Sequence, residues 1–251
     1  MKESFELRQC YYLTRRTPVI IRLDGRAFHS YCKPLKDRFD PTFMQVMDLT
    51  AIKLAESIQG AQVIYLQSDE ISILLHDYKE LTSEAWFDYN KSKIESISAA
   101  IASVEFTINS NLIWDKGVHI HRELDTTIES PKIKSAYFDS RSFNLPEQEV
   151  NNYFVARQRD CIRNSINSLG QSLYSPKELH GKNLSQVQEL TFAKGHNWND
   201  LPTSWKRGRC VVKTNVVIIN NVERSKWIVD NDIPEFTQDV NYIQQYLKTN
   251  Y

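Results

Sequence analysis

The sequence predicts an α+β fold: a βαββαβ (ferredoxin-like) sheet with covering helices and a C-terminal α/β extension. Three observations carry this. Short apolar runs rich in β-branched residues recur at Val19–Ile21, Val63–Leu66 and Ile71–Leu75, which suits buried strands better than helices. Residues 41–58 and 83–102 carry apolar side chains at helical spacing. Val104–Ile108 and Ala136–Asn144 then read as strands, completing the split βαβ order.

Taken in order, Met1–Thr17 is charged and aromatic, compatible with a helix packed ahead of the first strand. Pro18 is tolerated at the strand's first residue. Asp40-Pro41 opens a helix, with an acid at the N-cap and proline in the first turn. Phe43, Met47, Thr50 or Ala51, Leu54 and Ile58 share its inner face, and Gly60 ends it. Gln67-Ser68-Asp69-Glu70 joins two apolar strands as a hairpin. Ser83 is the expected N-cap of the second helix, with Ile94, Ile97 or Ser98, and Ile101 inward. Asn151–Tyr174 forms a third long helix, with Phe154, Val155, Ile162, Ile166 and Leu169 inward. Val211–Ile219 reads as a strand, and the tail from Asn231 as a capping helix or an extended segment.

Composition narrows the function classes. Hydrophobic residues make up 41% and charged residues 25% of the chain, and the formal net charge is zero. This is an ordinary globular balance; a nucleic-acid partner then needs a local basic face rather than a global excess. The four cysteines, Cys10, Cys32, Cys161 and Cys210, lack the paired spacing of a zinc or redox motif. With no apolar leader and no run long enough to span a bilayer, a cytoplasmic location and no membrane partner are expected. His119 and His121 share one strand face, but no third ligand stands at a recognisable spacing.

The chemistry centres on acids at strand ends. Asp24 closes the first strand with Gly25 behind it; taken alone, the pair also reads as a turn. Asp69 and Glu70 sit at the hairpin tip between flanks too apolar for an exposed turn. Neighbouring strand residues point to opposite faces, so only one of the two needs to face Asp24. Arg22 shares Asp24's face by the same alternation. Two carboxylates from neighbouring strands can hold two divalent ions about 4 Å apart, and magnesium favours such oxygen ligands.

The run Arg22–His29 (RLDGRAFH), followed by Gln67–Glu70 (QSDE), resembles the tRNA-His guanylyltransferase family of 3′-to-5′ polymerases. Phe138–Arg141 (FDSR), Pro146, Lys177–Lys182 (KELHGK), Leu201-Pro202 and Lys206–Arg209 (KRGR) are similar to its bacterial and archaeal-type, guanylyltransferase-like branch. The resemblance covers nearly the whole chain. It implies a polymerase-palm-like catalytic domain over residues 1–146. Residues 147–251 are then an extension packed on it and contacting RNA.

It further implies nucleotidyl transfer to the 5′ end of tRNA, after activation by ATP, with GTP or other nucleoside triphosphates as substrates. Asp24 and Asp69 would hold two Mg²⁺ ions, with the Gly25 carbonyl as a further ligand and Glu70 as a third catalytic acid, supporting the site or coordinating intermittently. Arg22, Asp24, Gly25, Arg26, Ala27, Phe28 and His29 would meet the nucleotide, with Ser68 and Asp69 opposite. Lys36 matches a triphosphate lysine, with Lys33 as the alternative; Lys93 and Asn164 match further nucleotide contacts. Lys206, Arg207 and Arg209 beside Trp198 and Trp205 suit RNA phosphates and stacked bases, or else a packed strand edge. The family's tetramer implies a homo-oligomer. Ile162 and Ser168 replace a histidine and an asparagine of the family's tRNA-His motif, which favours templated repair of truncated tRNA over guanosine addition to tRNA-His. Two rivals stand beside this reading: another palm enzyme such as a nucleotide cyclase, and a non-catalytic RNA-binding module.

Overall fold

The computed structural model describes residues 1–32, 40–115, 134–214, 217–219 and 222–251. The strands are β1 (Val19–Gly25), β2 (Ala61–Gln67), β3 (Glu70–Leu75), β4 (Phe138–Asn144), β5 (Arg209–Lys213), β6 (Val217–Ile219), β7 (Val222–Arg224) and β8 (Trp227–Asp230). The helices are α1 (Phe28–Tyr31), α2 (Pro41–Ser57), α3 (Lys91–Asp115), α4 (Glu147–Leu173), α5 (Pro176–Leu179), α6 (Leu184–Ala193), α7 (Thr203–Arg207) and α8 (Asn241–Gln244). Six strands form one antiparallel sheet in the order β4-β1-β3-β2-β5-β8. Its first four strands carry the expected palm-like βαββαβ topology, while β5 and β8 continue the same sheet beyond β2. β6 and β7 pair separately.

Strand alternation divides the core. Val19, Ile21 and Leu23 of β1 join Ile64, Leu66, Ile71 and Ile73 in the layer shared with α2 and α3. Ile20, Val63, Tyr65 and Leu74 face α4 and the C-terminal segment instead. Arg22 and Asp24 follow Ile20 in the alternation, so they emerge on the α4 face. The helix opening at Asp40 forms as expected: the carboxylate accepts from the backbone N–H groups of Thr42 at 2.8 Å and Phe43 at 3.1 Å.

The second long helix departs from expectation. It starts at Lys91, where Asn90 Oδ1 accepts from the Lys93 N–H at 3.1 Å, and Ser83 instead accepts from the backbone of Glu80. Phe87, Asp88 and Tyr89 take left-handed φ values of 52°, 50° and 57° just before it, which separates Ser83 from the helix. Val104–Ile108 is not a strand but the middle of α3. Local β-propensity yields there to packing: Ile94, Ser98, Ala102 and Phe106 are fully buried at helical spacing. Ser98 is therefore the inner residue, while Ile97 is 41% exposed.

Smaller differences follow. Residues 1–9 form one wide turn and one 3₁₀ turn rather than a regular helix. α4 begins four residues before Asn151, directly after Pro146. The expected strand Val211–Ile219 is split between β5 and β6. The tail buries Ile233, Phe236, Ile243 and Leu247. Lys33, Lys36, His119 and His121 lie outside the described residues.

Phe106 packs edge-on against Phe28, Tyr31 and Phe43. Phe106→Ala is expected to lower stability by about 3–5 kcal/mol in urea unfolding. A loss below about 1 kcal/mol would remove Phe106 from the core.

Candidate active site

The acids converge because β1 lies between β3 and β4. Asp24 pairs in register with Glu70 on one side and with Asp139 on the other. One row back, Arg22 lies opposite Ser72 and Arg141. Asp69 sits in the turn joining β2 to β3, after Ser68, whose φ of 47° is left-handed. A cleft of about 470 Å³ opens over them. Asp24, Asp69 and Glu70 line one side, Phe43 and Met44 of α2 another, and Asn164, Asn167, Ser168 and Gln171 of α4 a third. Trp205 and Arg209 complete it.

Burial raises the Asp24 carboxyl above the ordinary range, and the charges of Glu70 and Asp139 add to this. Arg22 and Arg141 oppose the shift. Asp69 is also raised, first by burial, with Asp24 and Glu70 adding repulsion; hydrogen bonds from its own backbone and Ser68 act the other way. Glu70 is held differently: Arg157 Nη1 donates to Oε2 and Gln67 Nε2 to Oε1, both at 3.0 Å.

The structure gathers Asp24, Ser68, Asp69, Glu70, Asn164 and Arg209 around the cleft. Arg22 is half-buried beside them, and Gly25 follows Asp24 in β1. Arg26, Ala27 and His29 are exposed on the turn beyond it. Phe28 departs from expectation: it is 4% exposed and stacks on Tyr31 in the core, so its side chain is packing material. Gly25 serves that packing, since a Cβ there would fall 2.4 Å from the Phe28 ring. Lys93 lies exposed on α3, across the sheet from the acids, and is absent from the cleft lining.

The basic run Lys206–Arg209 is drawn inward. Arg209 is 2% exposed, pairs with Asp48 and donates to the Met44 carbonyl at 3.1 Å. It is thus a buried structural cation rather than a surface RNA contact. Gly208 explains the turn: its φ is +83°, and a Cβ there would meet the Leu66 carbonyl oxygen at 2.5 Å. The chain passes close over β2, carrying the next residue into the sheet. Lys206 donates to the Asn199 carbonyl at 2.6 Å, and Arg207 to that of Ile233 at 3.0 Å.

Asp139, Arg141 and Arg157 are functional candidates that reading the sequence overlooked. The first two sit inside Phe138–Arg141, quoted above for its resemblance alone. The alternation of that strand, with Phe138 in the core, already places Asp139 and Arg141 on the opposite face.

The family model described as Thg1, tRNAHis guanylyltransferase, matches residues 1–146. The chain belongs to this family. It is accordingly a guanylyltransferase-like nucleotidyltransferase, which sets aside the reading as a non-catalytic module. A structure titled bacterial tRNA(His) guanylyltransferase (Thg1)-like protein in complex with ATP is 36% identical, with a TM-score of 0.84 over 99% of this chain and 97% of that one. The corresponding complex with GTP is 35% identical, with a TM-score of 0.79 over 98% and 96%. The tRNA(His) guanylyltransferase of Schizosaccharomyces pombe is 26% identical over 82% of this chain and 79% of its own. These likenesses agree with the palm-like fold. No described helix is long and apolar enough to cross a membrane.

A carboxylate raised in the folded state weakens folding while it is charged, and that loss is relieved as pH falls through its raised range. Asp69→Asn is therefore expected to melt above the parent protein near pH 7 without divalent ions. The difference should shrink as pH falls toward the ordinary carboxylate range. A melting difference independent of pH in differential scanning fluorimetry would contradict this assignment.

Proposed function

We propose that this nucleotidyltransferase extends the 5′ end of tRNA in the 3′-to-5′ direction, repairing 5′-truncated molecules against a template. The observation that carries this reading is the convergence of Asp24 and Asp69 on one cleft, in a chain whose likenesses include structures with ATP and with GTP.

Two Mg²⁺ ions fit the donor set. Asp24 and Asp69 offer hard oxygen ligands whose negative charge is held at a cost, and the Gly25 carbonyl adds another. Among the described residues no group of three or more His, Cys, Asp or Glu side chains forms a ready-made metal cage; magnesium usually needs only one or two carboxylates together with substrate phosphates and water. When bound, such ions supply a more acidic 3′-hydroxyl and stabilise charge on the reacting phosphate.

The chain's own residues do the rest. Asp24 and Asp69 fix where the reacting phosphate lies. Arg22 and Arg141 offer positive charge beside Asp24, and the turn Arg26–His29 offers backbone around the triphosphate. Ser68 and Asn164 approach from the hairpin and from α4. His29, Lys36 and Lys93 remain candidates for the activating nucleotide by likeness to the family, and Lys206 and Arg207 for RNA. The 5′-monophosphate is first adenylylated by ATP with release of pyrophosphate, or the end enters as a triphosphate; the incoming nucleotide's 3′-hydroxyl then attacks the RNA's 5′ α-phosphate, gives up its proton and displaces AMP or pyrophosphate. Ile162 and Ser168, where the tRNA-His motif has histidine and asparagine, support repair over guanosine addition alone.

We also propose self-association through α3. Ile97, Val104, Ile108 and Leu112 are 41%, 54%, 49% and 58% exposed, and with half-buried Ile101 they form a stripe at i, i+3 and i+4 helical spacing. A second copy of this chain is the occupant that the family's tetramer implies. The double change Val104→Glu and Ile108→Glu is expected to lower the mass measured by light scattering. An unchanged mass would move the interface elsewhere.

The decisive assay uses tRNA lacking its first nucleotide, with a 5′-monophosphate, ATP, Mg²⁺ and each nucleoside triphosphate. Extension that follows the opposing template base is expected. Asp24→Ala and Asp69→Ala should lower it by at least about a thousandfold while leaving RNA binding intact. Guanosine added only to full-length tRNA-His would assign the conventional activity instead.

A further inference from the structure

Glu70 differs from its neighbours because both of its oxygens are already engaged. Arg157 Nη1 donates to Oε2 at 3.0 Å, Gln67 Nε2 to Oε1 at 3.0 Å, and Ser72 Oγ lies 3.5 Å from Oε1. The two charged side chains are 16% and 19% exposed. Arg157 is anchored in turn by Asp160, which pairs with Arg163 at 2.7 Å. The Tyr153 hydroxyl, on the same helix face, lies 2.8 Å from Ser72 Oγ. Among the described residues nothing donates a hydrogen bond to Asp24, and Asp69 is met only within its own turn.

A carboxylate held by a shielded arginine and an amide is not a free ligand. Charge-assisted hydrogen bonds are roughly twice as strong as neutral ones, and removing one partner of a shielded pair leaves the other charge uncompensated. We propose that Arg157 is a positioning residue for the transfer reaction: with Gln67 it engages both oxygens of Glu70 and competes with the cations for that carboxylate, leaving Asp24 and Asp69 as their ligands. The inference rests on the two-cation reading above. It gives α4 a double role: its Asn164 and Gln171 line the cleft, while Arg157, on the preceding turns, restrains the neighbouring acid.

Mn²⁺ titration followed by electron paramagnetic resonance, on the full chain without nucleotide, tests this alongside thermal melts. Glu70→Gln is expected to bind Mn²⁺ within about twofold of the parent protein, since an engaged carboxylate adds no ligand charge. Arg157→Met frees Glu70 and is expected to tighten Mn²⁺ by about tenfold through the added carboxylate. Adding Glu70→Gln to Arg157→Met should return the affinity to the parent value, and Arg157→Lys should stay close to it. A fall of about tenfold or more in Glu70→Gln, with melting unchanged, would make Glu70 a ligand and overturn the proposal. So would an unaltered affinity in folded Arg157→Met; if that variant does not fold, Glu70→Gln decides alone. Asp69→Asn is expected to lose Mn²⁺. Parent-like binding in Asp69→Asn would overturn the cation reading, and this inference with it.

Discussion

Like charge set side by side is the constraint on which this molecule turns. The ladder of β1 with β3 and β4 brings Asp24 level with Glu70 and Asp139, and Asp69 joins them from the turn. Carboxylates opposite one another across strands repel, and at the half-buried Asp69 and Glu70 partial shielding from water intensifies this. The surrounding architecture offsets the repulsion without abolishing it. Arg22 and Arg141 share the exposed row, and Arg157 reaches in from α4. The apolar layers on both faces hold the strands in register, so the acids cannot relax by sliding apart.

This arrangement supports the proposed reading of the cleft as a place for cations and phosphates. The protein supplies positive charge at fixed points around the acids, yet leaves Asp24 and Asp69 short of partners. A site in that condition binds what restores neutrality. The cleft's other walls, the amides and hydroxyls of α4 with Met44 and Trp205, have both hydrogen-bonding and apolar character, as a nucleoside demands.

Much of this was legible in the residues. The βαββαβ order follows from apolar β-branched runs and helical spacing with one N-cap, and the placement of Arg22 beside Asp24 from period-two alternation. What escaped depended on tertiary contacts. Val104–Ile108 is β-branched enough to read as a strand, but Phe106 belongs to an aromatic cluster that only the fold assembles. Phe28 sits within a motif that reads as ligand-facing, yet the Gly25 surface draws it inward. Arg209 reads as part of a basic patch until Asp48, distant in sequence, claims it. Arg157 stands among several arginines of one helix, and no spacing rule distinguishes the one that meets Glu70.

The continuation of the sheet past β2 bears on how the chain can be divided. The segment matched by the family model ends at residue 146, yet β5 pairs along β2 from Val63 to Leu66. Cutting the chain there would leave β2 as a bare apolar edge and uncover Tyr65, which is fully buried. An open edge of that kind recruits other strands. The C-terminal segment thus covers an edge that the first four strands would otherwise leave open. Fragments ending near Pro146 are poor material for isolating the chemistry, and fusions or tags belong at the chain ends rather than at that junction.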